Sequence, residues 1–165
     1  MLTKHIVKSK RPFQDNETRK IFLKIISAAI FLSLFDQVLK LLAKNYLQKE
    51  IVLNPFISLR YEKNYGIAWS IPFPGQLLLI TNILLILLLP VFCAHYLDLN
   101  KKETQFLVAL VFGGAFGNFL DRILHGYVAD YLAIGWWPVF NLADAALSIG
   151  IFLICLFYGK IKKKS

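Results

Sequence analysis

Four stretches of apolar sequence, each near the thickness of a lipid bilayer, restrict what this chain can fold into. A helix needs about 20 mainly apolar residues to cross hydrocarbon. Only helices and closed barrels satisfy all their backbone groups there. The spans read 21–46, 76–97, 103–120 and 137–158. The first has an uncharged run, 25–35, that is short by itself; Asp36 and Lys40 lie within the turns that complete it. The second is rich in Leu and Ile, with Pro90 as a kink point, and Asp121-Arg122 is expected to end the third. Hydrophobic residues make up 57% of the chain and charged residues 18%, and the charges lie between the blocks. The expected fold class is all-α integral membrane: a four-transmembrane-helix bundle with a small extracytoplasmic β element.

The net charge of +9 would suggest a nucleic-acid partner in a soluble protein. Here the cations cluster at 1–24, 101–102 and 160–164, beside apolar spans, and lack the interleaved aromatics that single strands need. No nucleic acid is expected. Basic loops stay in the cytoplasm, so both termini and the loop 98–103 are assigned there. The loops 47–75 and 122–136 carry only Lys49, Arg60, Lys63 and Arg122 and are assigned to the outer face. The organisation is a basic cytoplasmic tail, 1–20, a membrane domain, 21–159, and a second basic tail, 160–165. Residues 41–45, Leu-Leu-Ala-Lys-Asn, offer no small-x-small cleavage site, so the first span is expected to remain uncleaved.

The outer loop 47–75 is more than a connector. Residues 51–53 and 57–61 look like short strands broken by Asn54-Pro55, and Asn64-Tyr65-Gly66 looks like a turn. Pro72-Phe73-Pro74-Gly75 leads back to the membrane.

Topology brings Asp36, Lys40, Asp121, Asp130 and Asp144 to the outer face, with Asp130 in the loop between the third and fourth spans. Ionisable groups at membrane depth cost at least about 2.5 kcal/mol at a helix centre, so their gathering at one level asks for a reason. Asp36 and Lys40 share a helix face at i,i+4 spacing and suit a structural ion pair. Asn141, Asp144 and Ser148 share a face of the fourth span, which carries no cation beside Asp144. No HExxH, GxSxG or paired nucleophile and histidine exists, and Cys93 and Cys155 sit inside apolar spans without CxxC spacing. No metal, disulfide or cofactor is expected. Acids and amides remain. Two close carboxylates share a proton, and such a pair can hydrolyse an amide bond. Asp130 and Asp144 are the natural pair. Gly113, Gly114 and Gly117 allow close helix approach in the third span, while Asn118 and Asn141 can hold a carboxylate. The same residues leave open a proton-coupled carrier, an assembly factor with acids as helix glue, or a lipid-headgroup transferase, though few cations face outward.

Five segments in order give a more specific pointer. They are Asp36-Gln37-Val38-Leu39-Lys40, Asn64-Tyr65-Gly66-Ile67-Ala68-Trp69, Gly113 to Arg122 (Gly-Gly-Ala-Phe-Gly-Asn-Phe-Leu-Asp-Arg), Gly126-Tyr127-Val128-Ala129-Asp130-Tyr131, and Phe140-Asn141-Leu142-Ala143-Asp144. Together they resemble the lipoprotein signal peptidase (signal peptidase II) family, aspartic peptidase family A8, across nearly the whole chain. The resemblance implies a protease of the bacterial inner membrane with Asp130 and Asp144 catalytic. It implies that Asp36, Lys40, Asn118, Asp121, Arg122 and Asn141 brace or line the site, that Asn64 contacts substrate or inhibitor from the outer loop, and that Gly66 binds substrate or supports the site there. It implies diacylglyceryl-modified prolipoproteins as substrates, contact with membrane lipid, globomycin-type inhibitors, and no metal. One departure is that the segment 131–143 is a few residues shorter than the family pattern, so Gly135-Trp136-Trp137-Pro138 must turn tightly into the fourth span.

Overall fold

The structure is a computed structural model that describes residues 16–66 and 74–163. Its elements, in chain order, are α1 (Asn16–Tyr46), β1 (Ile51–Asn54), β2 (Ile57–Asn64), α2 (Gly75–Tyr96), α3 (Lys102–His125), β3 (Val128–Ile134) and α4 (Leu142–Ile161). All four helices are long and apolar enough to cross a membrane. Residues 67–73 and the N-terminal tail to residue 15 lie outside the described residues, so the Ile67-Ala68-Trp69 part of the second motif does too.

α3 is the central helix and packs against each of the other three. Its glycines explain how. A methyl group at Gly113 would meet the Ala29 carbonyl and Leu32 of α1 at 2.7–2.9 Å, and one at Gly114 would run into the Ala143 carbonyl and the Leu147 backbone of α4. Glycines on two sides of one helix therefore let two neighbours approach at backbone distance, which association in lipid rewards. Ser33 marks the α1 contact: its hydroxyl donates to the Ala29 carbonyl at 2.8 Å or the Gly113 carbonyl at 2.9 Å.

The third helix does not stop at Asp121-Arg122. It runs one further turn to His125 and ends at Gly126, whose φ of 77° supplies the left-handed residue that closes many helices. Asp121 is buried against α1 and so does not terminate the helix. The fourth helix starts later than the apolar run, at Leu142 rather than near Trp137. Pro138 and an antiparallel bridge from Phe140 to Leu132 keep the preceding residues extended. The tight turn is made by Gly135, at φ 53°, with Trp137 N donating to the Ile134 carbonyl.

The β element is a three-stranded antiparallel sheet in the order β1-β2-β3. Asn54 forms the β1–β2 turn by accepting from the Phe56 and Ile57 amides. β2 carries one extra residue between Leu59 and Glu62, and beyond this bulge Glu62 pairs with Asp130 and Asn64 with Val128. Asp130, expected on a loop, is thus held in a strand whose first three residues are buried. At the far end of the bundle a bridge between Leu97 and Lys162 ties the start of the 97–101 connection to the end of α4. The apolar core there contains Leu107, Val111 and Ile154.

Candidate active site

The polar residues meet where β3 crosses the sheet-side ends of α1, α3 and α4. Asn141 begins α4 as its N-cap. Its side-chain oxygen accepts from Asp144 N at 2.8 Å, while the Asp144 carboxylate accepts from Asn141 N at 3.3 Å, a reciprocal capping box. The same Asn141 side chain donates to Asp130 Oδ1 at 2.7 Å. One fully buried asparagine therefore touches both candidate catalytic carboxylates, and its position is fixed by the helix start itself.

Each carboxylate has a second amide. Asn118 Nδ2 donates to Asp144 Oδ1 at 2.7 Å, and Asn64 Nδ2 donates to Asp130 Oδ2 at 3.0 Å. Asn64 is itself oriented by accepting from Gly66 N at 2.9 Å, which gives Gly66 its place in the motif. Asn64, which the resemblance placed toward substrate, also holds Asp130. Burial, and next the negative charge of Asp144, push the Asp130 carboxyl up to about 7, against the pull of Asn64, Asn141 and Lys40. Hence Asp130 can carry a proton near neutral pH, when an ordinary aspartate has lost it.

Behind these residues lies a buried ionic cluster. Lys40 Nζ sits 2.7 Å from Asp36 Oδ2 and 3.1 Å from Asp121 Oδ2, with all three side chains at most 4% exposed. It also donates to Asn118 Oδ1 at 3.1 Å. Lys40 thereby dictates which way the Asn118 amide faces: the oxygen meets the ammonium and the NH₂ meets Asp144. Asp36 Oδ1 accepts from Ala143 N at 2.9 Å, placing a carboxylate at the positive end of α4. Asp121 Oδ2 accepts from Ala129 N at 2.9 Å, anchoring the strand that carries Asp130. Asp36 and Asp121 are thus each committed to a lysine and a backbone amide, unlike Asp130 and Asp144, whose hydrogen-bond partners are amides. Arg122 Nη1 reaches the Asn118 carbonyl at 3.4 Å, and its charge acts on Asp144 and Asp130.

Two contributors were not singled out from the sequence. Gln37 Nε2 donates to the Gly117 carbonyl at 3.0 Å and Asp121 Oδ1 at 3.1 Å. The Tyr131 hydroxyl accepts from Leu142 N at 3.1 Å, satisfying another free amide of the first turn of α4. Both stand inside the quoted motifs, so the signal was present; what was missing was the pairing partner. Among the described residues no three His, Cys, Asp or Glu side chains are grouped to hold a metal ion.

This arrangement can do acid–base chemistry on a bond presented between Asp130 and Asp144. The comparisons agree with that class. Residues 28–159 match the family model described as Signal peptidase (SPase) II. The lipoprotein signal peptidase of Pelodictyon phaeoclathratiforme is 32% identical over 162 residues, covering 86% of this chain and 92% of that protein. That of Chlorobaculum tepidum is 36% identical over 153 residues, covering 81% and 92%. A bacterial membrane enzyme solved by the in meso method at 2.3 Å superposes with a TM-score of 0.73 at 32% identity, covering 82% of this chain and 87% of that one. With four membrane-spanning helices, a small sheet at one end of the bundle and this breadth of match, the chain belongs to the signal peptidase II family of membrane aspartic peptidases.

Proposed function

We infer that this protein removes the signal peptide from diacylglyceryl-modified bacterial prolipoproteins, cleaving before the lipidated cysteine, with Asp130 and Asp144 as the catalytic pair. The observation that carries the reading is Asn141, which donates its side chain to Asp130 and its backbone amide to Asp144. It holds two acids that, among the described residues, form no lysine salt bridge, in contrast to Asp36 and Asp121.

The pair holds one proton between them. The ionised carboxylate removes a proton from a water molecule as its oxygen attacks the scissile carbonyl carbon. The protonated carboxyl gives its proton to the carbonyl oxygen. The resulting tetrahedral diol collapses as its C–N bond breaks. The leaving amine takes a proton from the acid that accepted the water proton, and the diol returns one proton to its partner. The pair ends as it began, and no cofactor is consumed. Asn64, Asn118 and Asn141 hold the charged forms by hydrogen bonds that need no reorganisation during the reaction.

The positive-inside pattern supports a multi-pass protein of the bacterial inner membrane with both termini in the cytoplasm and the acids near the outer face. Acyl chains of the substrate then stay in the outer leaflet while the peptide meets the acids, and a globomycin-type inhibitor competes there. The test is cleavage of a prolipoprotein with and without its diacylglyceryl group, with EDTA present, by wild type, Asp130→Asn and Asp144→Asn. Cleavage of the lipidated form alone, slowed about 10²–10⁴-fold in each variant, supports the reading. Folded wild-type protein that cleaves neither form, beside an active control enzyme, overturns it and favours a carrier or scaffold.

A further inference from the structure

Away from the acids, α1 and α2 each lean on α3, and an apolar cavity of about 430 Å³ lies between the three. It runs from Phe22 and Leu99 at one end to Ser33 and Phe116 at the other, with Ile86 and Pro90 of α2 as its outer wall. Among the described lining residues only Ser33 and Cys93 carry polar side-chain atoms, and the Ser33 hydroxyl is already bonded to backbone carbonyls. Among the described residues the lining therefore offers water little to bind. Exposed Ile26 and Ile30 border it on the hydrocarbon side.

Its size selects an occupant. Phe22 to Ser33 is 11 residues of helix, about 16 Å, close to half of a hydrocarbon core about 30 Å thick. A peptide helix is about 10 Å wide and over that length would need on the order of 1,300 Å³, more than the cavity holds. A single extended hydrocarbon chain fits. Charge selects the rest. Arg19 is exposed one turn before Phe22, on the helix face that carries Phe22 and Ile26; Lys101, which lies 3.7 Å from Asp98 Oδ2 and donates to the Lys160 carbonyl, follows Leu99 by two residues. The groove thus has cations at the end where a headgroup would lie and apolar walls to the bilayer middle.

We propose that the groove between α1 and α2 is a binding site for one acyl chain of an anionic glycerophospholipid of the leaflet opposite the acids, its phosphate near Arg19 and Lys101. Such a lipid fills the space between two helices that both depend on α3 for support, and it is separate from the prolipoprotein substrate. It leaves the proposed catalytic residues untouched.

The experiment is native mass spectrometry of the full chain, delipidated in detergent and titrated with phosphatidylglycerol or phosphatidylcholine of identical chains. Wild type is expected to show one saturable phosphatidylglycerol, bound at least tenfold tighter than phosphatidylcholine. Ile86→Trp fills the groove and should weaken binding at least tenfold. Arg19→Gln, a surface change that leaves the groove open, should weaken phosphatidylglycerol about threefold and leave phosphatidylcholine unchanged. Unaltered phosphatidylglycerol binding in Arg19→Gln and in a folded Ile86→Trp, or equal binding of the two lipids by wild type, overturns the proposal. The thermal midpoint and prolipoprotein cleavage of each variant report folding, so lost lipid binding with both retained is specific to the groove.

Discussion

α2 is the most apolar of the four helices and only Leu78 and Cys93 of it are buried, whereas the membrane stretch of α3 is the least apolar of the four and more than half of it is buried. In water the ranking would be reversed, because burial there follows hydrophobicity. In lipid a leucine gains nothing by turning inward, and what drives helices together is close packing and the pairing of polar groups. α3 has both: glycines toward α1 and α4, then Asn118 and Asp121 at the site. α2 has neither, and Leu87, Leu88 and Val91 face outward. The difference singles out the helix that carries most of the candidate site's buried polar contacts. The helix that looks least like a membrane span is the one built to hold the site.

The largest way to break this contrast is to remove the charge that α1 sets against α3. Lys40→Met leaves Asp36 and Asp121 buried without their shared cation, and breaking a buried pair from one side costs about 3–5 kcal/mol. The expected outcome is a strong fall in thermal midpoint in detergent together with lost peptidase activity, since Asn118 also loses the donor that orients it toward Asp144. A variant with unchanged midpoint would mean the ionic cluster contributes little to holding α1 on α3.

A smaller effect comes from the glycines. Gly114→Ala drives a methyl into the backbone of α4, and overpacking of that kind costs about 1–3 kcal/mol. Gly159→Ala, on α4 with open space around it, removes a flexible helix residue and is expected to be neutral or to gain up to about 1 kcal/mol. Unfolding midpoints of the two proteins measured side by side check the pair. Equal midpoints would show that α3 and α4 can separate without penalty.

What the sequence revealed and what it hid follow the same division. The four spans and the helix-face pairing of Asp36 with Lys40 were legible, because hydropathy blocks and i,i+4 spacing act along one chain segment; the place of Asn141 beside the acids rested on the family resemblance. β3 was not, because Val-Ala-Asp-Tyr-Leu-Ala-Ile holds an aspartate at a position where strands disfavour it. Its strand form rests on pairing with β2 and with Phe140, contacts that lie far along the chain. The late start of α4 was hidden for a related reason: Trp137 to Phe140 are apolar enough to continue the span, yet backbone bonds to β3 hold Phe140 outside the helix. The division of labour among the four acids needed distances, since composition cannot say which aspartate a lysine reaches.

The smallest expected effect tests that division directly. Asn64 lies outside the membrane spans, and its amide donates to Asp130 Oδ2. A hydrogen bond to the ionised form lowers a carboxyl pKa, so Asn64→Ala should raise that of Asp130 above about 7. A dyad that works with one shared proton loses activity as pH rises and the second carboxyl ionises. The alkaline limb of kcat/KM should therefore stand near pH 7 in wild type and move to higher pH in Asn64→Ala, by about half a unit to one unit if the bond contributes about 1 kcal/mol. The stability sign is fixed by the same shift. Because the folded state holds this proton up to about pH 7 and the unfolded chain releases it near 3.8, Asp130 erodes stability as pH rises between those values. Asp130→Asn should flatten that slope, read as the change in unfolding midpoint between pH 5 and pH 7. If Asn64→Ala leaves the alkaline limb where it was while Asp130→Asn flattens the slope, the limb belongs to another group, and Asp130 is a buried acid that the reaction does not titrate.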